Sequence, residues 1–363
     1  MSSTTQPDAF SLNNPATKIR RLNRAAFAAA ALIPFLFSIP AGAGEAASSC
    51  ADPCPEFGSI EILDPAGAAL FPQGARMVKL ADGFTWTEGP VWLPDEHALL
   101  FADMINNRIC KWKDGEGVST FLEKSGGVQG GDKVYNPGSN GMILNKDGQL
   151  LICQHSDRRI VRLDADGHTL HTVVDRFEGK RLNSPNDLVF DKAGNLFFTD
   201  PTYGLAKDSD SELGFCGVYR LSNDGKLTLL SKDFAKPNGI GISPDGKTLY
   251  ASDSENGQFA VFSFALNEDG SVGPRKLFWN AMPFAEGNPG STDGMTIDAG
   301  GNVWTCGPGG IYVLSPEDKL LAKLNTGEPT ANCVFGGEDG HDLFIMANHT
   351  IVRLKTKTRG LNQ

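Results

Sequence analysis

The chain has no GxSxG elbow, no CxxC pair and no Cys/His spacing of the kind that holds zinc. The first absence excludes the serine nucleophile of an α/β hydrolase, and the other two exclude a thiol-redox centre and a zinc knuckle. No basic patch interrupts a net charge of −10, so a phosphate backbone is a poor partner and no nucleic-acid role is expected. The longest apolar run, from Ala25 to Pro40, is short and broken by proline, which leaves no comfortable membrane span. Basic residues (Lys18, Arg20, Arg21, Arg24) precede that run and small residues follow it, the grammar of a secretory signal peptide. Residues 1–43 are therefore read as a cleaved signal, with a periplasmic or secreted destination. Seven cysteines are an odd number for an exported protein. Cys50 and Cys54 could form a small local bridge. Cys110, Cys153, Cys306 and Cys333 fall in predicted strands and are expected as buried free thiols.

What the chain does contain is 42 glycines, 21 prolines and many Asp/Asn/Gly turns, which favour short strands over long helices. Six polar residues each stand just ahead of a short apolar run. They are Glu88 (EGPVW), Asn140 (NGMIL), Asn186 (NDLVF), Asn238 (NGIGI), Asp293 (DGMTI) and Asn332 (NCVFG). Their intervals run from 39 to 55 residues, the period of a propeller blade. Three further strands follow each inner run, except that after TIVRL the chain ends without a fourth. The missing strand is available in RMVKLADGF (76–84), which would close the ring and remove an open edge. The expected fold is all-β: a six-bladed β-propeller of four-stranded blades over residues 76–363. Residues 44–75 are read as a leader packed loosely on the ring.

Polar residues at one place in every repeat should face a common axis. Glu88, Asn186, Asn238 and Asp293 would converge there, and no cationic side chain occupies any of the six positions. An unpaired buried carboxylate is costly, and four oxygen donors suit a hard cation. The bland reading is turn capping, which for Asn140 and Asn332 stands beside the axial one. For Asp103, Asp200 and Asp253, which end equivalent second strands, capping is the preferred reading.

The motifs WTEGPVW (86–92), NPGSNGM (136–142), GKRLNSPNDLVF (179–190), FFTDPTYGL (197–205), PNGIGISPDGKTLY (237–250), DGMTID (293–298) and PGGIYVLSP (308–316) resemble the gluconolactonase and regucalcin family. The resemblance implies a six-bladed propeller with a divalent metal, usually Ca2+, with Zn2+, Mn2+ or Mg2+ as alternatives. It implies Glu88, Asn238 and Asp293 as ligands, Asn186 beside the metal or the substrate, and Asp293 as proton shuttle. The family's sugar-binding arginine is replaced here by Ser184, with Arg181 nearby as a compensating candidate. His155 and Tyr203 are further candidates for the substrate pocket. The implied activity is hydrolysis of sugar lactones such as glucono-1,5-lactone. Hydrolysis of other lactones or phosphotriesters, or a non-enzymatic calcium-stabilised binding propeller, are the alternatives.

Overall fold

The computed structural model describes residues 54–129 and 136–361. The proposed signal peptide, Cys50 and part of the Gly-rich 125–139 loop lie outside the described residues. Six antiparallel sheets are arranged as blades. The first comprises Thr87–Leu93, Ala98–Asp103, Arg108–Lys113 and Gly117–Glu123, and the second Ser139–Leu144, Leu150–Gln154, Arg159–Leu163 and Leu170–Val174. The third is Leu188–Phe190, Leu196–Asp200, Gly217–Leu221 and Leu227–Ser231, and the fourth Pro237–Ile242, Thr248–Asp253, Ala260–Ala265 and Lys276–Asn280. The fifth begins with Met295–Ile297, Val303–Gly307, Gly310–Leu314 and Leu320–Asn325. In the sixth, Thr330–Gly336, Asp342–Ala347 and Thr350–Lys355 are completed by the N-terminal strand Met77–Asp82, which pairs antiparallel with Thr350–Lys355. The six-bladed ring and its closure are thus as expected from the sequence.

Two elements differ from the sequence reading. Ser59–Ile62, within the segment read as a loose leader, hydrogen-bonds to Leu320–Asn325 as a fifth strand on the fifth blade. Nothing in SIEI marks it as a strand beyond its alternation, because its partner lies more than 250 residues away. A two-stranded hairpin, Arg176–Phe177 with Lys180–Arg181, also turns the chain between the second and third blades.

The apolar core lies between blades. Six clusters fill the six seams, as where Leu99, Phe101 and Trp112 of the first blade meet Phe344, Met346 and Ile351 of the sixth. Trp92 stacks on Phe344 there, ring centroids 5.2 Å apart. The four cysteines expected as buried thiols are buried and unpaired. Where a seam narrows to the axis, only glycine fits. A Cβ on Gly89, whose φ is +48°, would stand 1.9 Å from the Asn140 carbonyl oxygen. One on Gly294 would stand 2.2 Å from the Asn332 side chain.

Closure by Met77–Asp82 protects the edge of Thr350–Lys355, whereas Ser59–Ile62 only adds to an already complete blade. A chain beginning at residue 64 should remain folded and free of aggregate, with a melting temperature lowered by a few degrees. One beginning at residue 84 should be recovered mainly as aggregate. Size-exclusion chromatography with thermal melting distinguishes the two outcomes.

Candidate metal centre and active site

In an antiparallel blade the inner strand starts at the end of the ring where the second strand finishes. The six polar residues therefore share one end of the channel with the turns that leave the second strands. In the first, second, fourth and sixth blades the inner-strand register shifts at or beside the polar residue. Such bulges turn a side chain out of the regular pleat. In the third and fifth blades, Asn186 and Asp293 stand just ahead of the strand.

Three acids at the ends of second strands fix the approach to the axis. Asp103 accepts the Thr85 N–H at 3.0 Å, and Asp253 accepts those of Ala235 and Lys236 at 3.0 and 2.9 Å. Asp200 accepts the N–H groups of Asn183 and Ser184, each at 2.8 Å. Each acid thus grips the backbone two or three residues before Glu88, Asn238 or Asn186. The capping expected of these aspartates is what the structure contains, and its effect is to aim the axial side chains. Burial still pushes Asp200 up to about 7 against its two N–H donors.

On the axis, Glu88 is 3 % exposed, and its Oε2 accepts from the Gly89 N–H at 2.9 Å and from the Asn332 amide at 3.4 Å. Burial raises its pKa to about 7, with the charge of Asp187 adding to the rise. Asp293 is held well above the usual carboxylate range, first by burial and then by the charges of Glu88 and Asp187. Its Oδ1 is buried without a partner, as is the Oδ1 of Asn140. Asn238 faces Asp293 and is 5 % exposed, and Asn186 is 2 % exposed.

Asp187 was not singled out in the sequence. It is buried, and burial raises its pKa to about 7. The signal was available: four of the six polar residues are followed by glycine, and Asn186 is followed instead by a carboxylate. Asn332 also does more than mark a repeat, since its amide touches Glu88.

Among the described residues, no Lys or Arg acts on Glu88, Asp187 or Asp293. Two carboxylates, Glu88 and Asp293, with amide oxygens and an unpartnered Asp293 Oδ1, have the chemistry of a donor set for a hard divalent cation. No cluster of three or more His, Cys, Asp or Glu suited to a metal occurs among the described residues, so the set is a mixed one of carboxylates and amides. That composition matches calcium or magnesium chemistry better than zinc. Glu88, Asn186, Asn238 and Asp293 are the residues able to hold the ion.

The other candidates separate. Tyr203 lies beside the axial group, its hydroxyl facing Ser254 and Asn238 and within reach of the Asp293 charge. Ser184 is fully buried, donates to the Pro201 carbonyl at 2.6 Å and accepts the Gly204 N–H at 2.9 Å. Its hydroxyl is thereby occupied inside the protein, a correction to its expected role in sugar binding. Arg181 donates to the Asp157 carbonyl at 3.1 Å and touches none of the axial residues. His155 is fully buried with no well-formed partner on either ring nitrogen. Burial keeps it neutral, its pKa pushed down to about 4.

A cavity of about 910 Å³ lies along the later residues of the inner strands, walled by Leu144, Phe190, Ile242, Ile297 and Phe335. It meets the axial layer through Gly89, Asp187 and Asn332 but is not lined by any of the four candidate ligands. It belongs to the far end of the channel. Tyr203 is not among the residues lining this cavity.

The family model described as SMP-30/Gluconolactonase/LRE-like region matches residues 86–349. A gluconolactonase of Zymomonas mobilis is 39% identical over 312 residues, which cover 84% of this chain and 87% of that protein. A solved gluconolactonase from Xanthomonas campestris is 32% identical with a TM-score of 0.72, covering 86% of this chain and 99% of that one. A calcium-binding regucalcin from Agrobacterium tumefaciens, 19% identical, shares the fold at a TM-score of 0.62 over 77% of this chain and 93% of its own. With a family model spanning most of the propeller and a relative of this identity over most of both lengths, the chain belongs to the SMP-30/gluconolactonase/LRE-like family.

Proposed function

We propose that the chain hydrolyses sugar lactones, such as glucono-1,5-lactone to gluconate, at the axial site and with a divalent cation, most readily Ca2+, bound there. The observation that carries this reading is the burial of Glu88 and Asp293 within reach of each other's charge, with Asn238 facing Asp293 and, among the described residues, no Lys or Arg acting on either carboxylate. Family membership and the gluconolactonases among its relatives support the substrate class. We further propose that the mature protein is exported, on the strength of the basic-then-apolar segment within residues 1–43.

When bound, the cation supplies Lewis acidity toward a carbonyl oxygen. Glu88, Asn186 and Asn238 would hold it, and the buried amides and glycine N–H groups keep the surroundings preorganised. Asp293 accepts the proton of the attacking water as the new C–O bond forms. As the ring C–O bond breaks, Asp293 returns that proton to the departing ring oxygen. Burial and the neighbouring carboxylates raise its affinity for a proton, while a nearby cation lowers it. Those opposing effects act on the group that must both take and give up the proton.

Asp293→Asn should lower kcat on gluconolactone by about a thousandfold, within the usual range for a lost general base, while the melting temperature stays within a few degrees. Wild-type turnover in that variant would refute the assignment. Assays on gluconolactone, a homoserine lactone and a phosphotriester in parallel test the substrate class.

The raised pKa values of Glu88 and Asp187, both about 7, also fix a sign for stability in the metal-free protein. Below the ordinary carboxylate range both folded and unfolded chains are protonated. Between there and about pH 7 the folded chain retains protons that the unfolded chain has released, so stability falls as pH rises. Each unit of difference corresponds to about 1.4 kcal/mol. The melting temperature of chelated protein should therefore drop from about pH 5 to about pH 8 through these groups. Added Ca2+ should raise it much more at the higher pH, because the cation replaces the missing protons. Asp187→Asn should raise the melting temperature of the chelated protein at the higher pH. A cation effect equal at both pH values would contradict the axial assignment.

A further inference from the structure

The turn after the second strand of the third blade, Pro201–Cys216, is longer than a hairpin requires, and Tyr203 stands near its start. This turn is anchored on both sides of Tyr203. On one side Gly204 lies so close to its neighbours that an added Cβ would stand 2.7 Å from the Ser184 Cβ and 2.8 Å from the His155 Cβ. The Gly204 N–H donates to the Ser184 hydroxyl, which itself donates to the Pro201 carbonyl. On the other side the Lys236 ammonium, on the segment leading to Asn238, donates to the Thr202 hydroxyl at 2.5 Å and to Asp208 Oδ1 at 2.6 Å. Thr202 donates in turn to the same Asp208 oxygen at 2.6 Å. The Lys236 side chain is 17 % exposed, and its Nζ lies 5.6 Å from the centre of the Tyr203 ring. The backbone of Lys236 is fixed as well, by the Asp253 carboxylate.

We propose that Lys236 is a positioning residue: it clamps the Pro201–Cys216 turn through Thr202 and Asp208 and so holds Tyr203 against the Asn238–Asp293 side of the site, where the tyrosine forms one wall of the substrate pocket. The proposal rests on the lactonase reading. A largely desolvated ammonium holds two oxygens with charge-assisted bonds and offers its remaining face to an aromatic ring. Loosening it frees the wall without touching Asp293, so the effect should fall on substrate binding more than on the chemical step. Ser184 and His155 then act from the opposite side, as the packing surface against which Gly204 rests.

The test is a kinetic comparison of wild type with Lys236→Met, Lys236→Arg, Asp208→Asn and Tyr203→Phe on gluconolactone with Ca2+ present. Lys236→Met should raise KM about tenfold while kcat changes by less than about threefold, and Lys236→Arg should recover most of the loss. Asp208→Asn, on an exposed carboxylate, should give a smaller rise in KM. It also stands in for Lys236→Met if that variant does not fold. In the double variant, adding Asp208→Asn to Lys236→Met should change little. A KM for both Lys236→Met and Asp208→Asn within twofold of wild type, with Asp293→Asn inactive, would overturn the clamp and leave the lactonase reading intact. If wild type turned over no lactone with any divalent cation, the lactonase reading would fail by itself. The clamp is then judged by thermolysin cleavage within residues 201–216. Cleavage should accelerate about tenfold in Lys236→Met if the turn is held by this side chain. An unchanged cleavage rate would refute it.

Discussion

Closing six blades on a common axis forces like charges together. The inner strands approach so tightly that only glycine fits at several seams, and the polar residue beside each glycine has nowhere to go but inward. Glu88, Asp187 and Asp293 are buried within reach of one another's charge, and among the described residues no Lys or Arg offsets them. In such surroundings a carboxylate stays protonated, finds a cation or destabilises the fold. Everything that positions these groups works against their repulsion. The inner-strand bulges turn the side chains inward, and the carboxylates of Asp103, Asp200 and Asp253 grip the incoming backbone. The seam cores between blades leave the strands no room to spread. A rigid scaffold thus holds an electrostatically unfavourable arrangement ready for an ion, and the axial pKa values rise as a consequence.

The ring repeats six times, but the site does not. The three clamping aspartates end the second strands of the first, third and fourth blades, and these blades supply Glu88, Asn186 and Asn238. In the fifth blade the equivalent strand ends in Gly307, and Asp293 is placed instead through its neighbours. The Ser252 hydroxyl donates to the Asp293 carbonyl at 2.8 Å, and the Thr292 hydroxyl donates to the Asp253 carbonyl. The remaining two polar residues take supporting parts: Asn332 donates to Glu88, and Asn140 leaves a carbonyl oxygen free near the axis. The same repeat position therefore serves as ligand, brace or spare acceptor according to what surrounds it. Recognition is more lopsided still, because the long turn bearing Tyr203 rises from one blade only.

Much of this could be read from the residues. Polar side chains recurring ahead of apolar runs disclosed both the period and the axis, and the strand-ending aspartates disclosed their capping. Asp187 is legible only as a departure from the glycine found after Glu88, Asn140, Asn238 and Asp293. Ser184 is a substrate candidate by standing where the family has an arginine, and His155 by closing a second strand. Proximity along the chain does not show that a hydroxyl already serves Pro201 and Gly204, or that an imidazole is sealed beneath a glycine. The fifth strand of the fifth blade was hidden for a different reason. Its partner is distant in sequence, and a four-residue edge strand carries too few side chains to announce a register. Lys236 reads as an ordinary surface lysine until the turn it holds is seen beside it.

The arrangement of proton-handling groups bears on the chemistry. Glu88 is engaged by the Gly89 N–H and the Asn332 amide, and Asp187 accepts the Leu188 N–H at 3.0 Å. Asp293 alone of the three keeps a buried oxygen without a donor. Hydrolysis of an open-chain ester must protonate a leaving group that can diffuse away. In a lactone the leaving oxygen stays attached to the same molecule, a short distance from the carbon that water attacks. One carboxylate can then serve both steps, taking a proton from the water and passing it to the ring oxygen without a second acid. A site whose one fully buried, unpartnered carboxylate oxygen belongs to Asp293 suits that tethered leaving group.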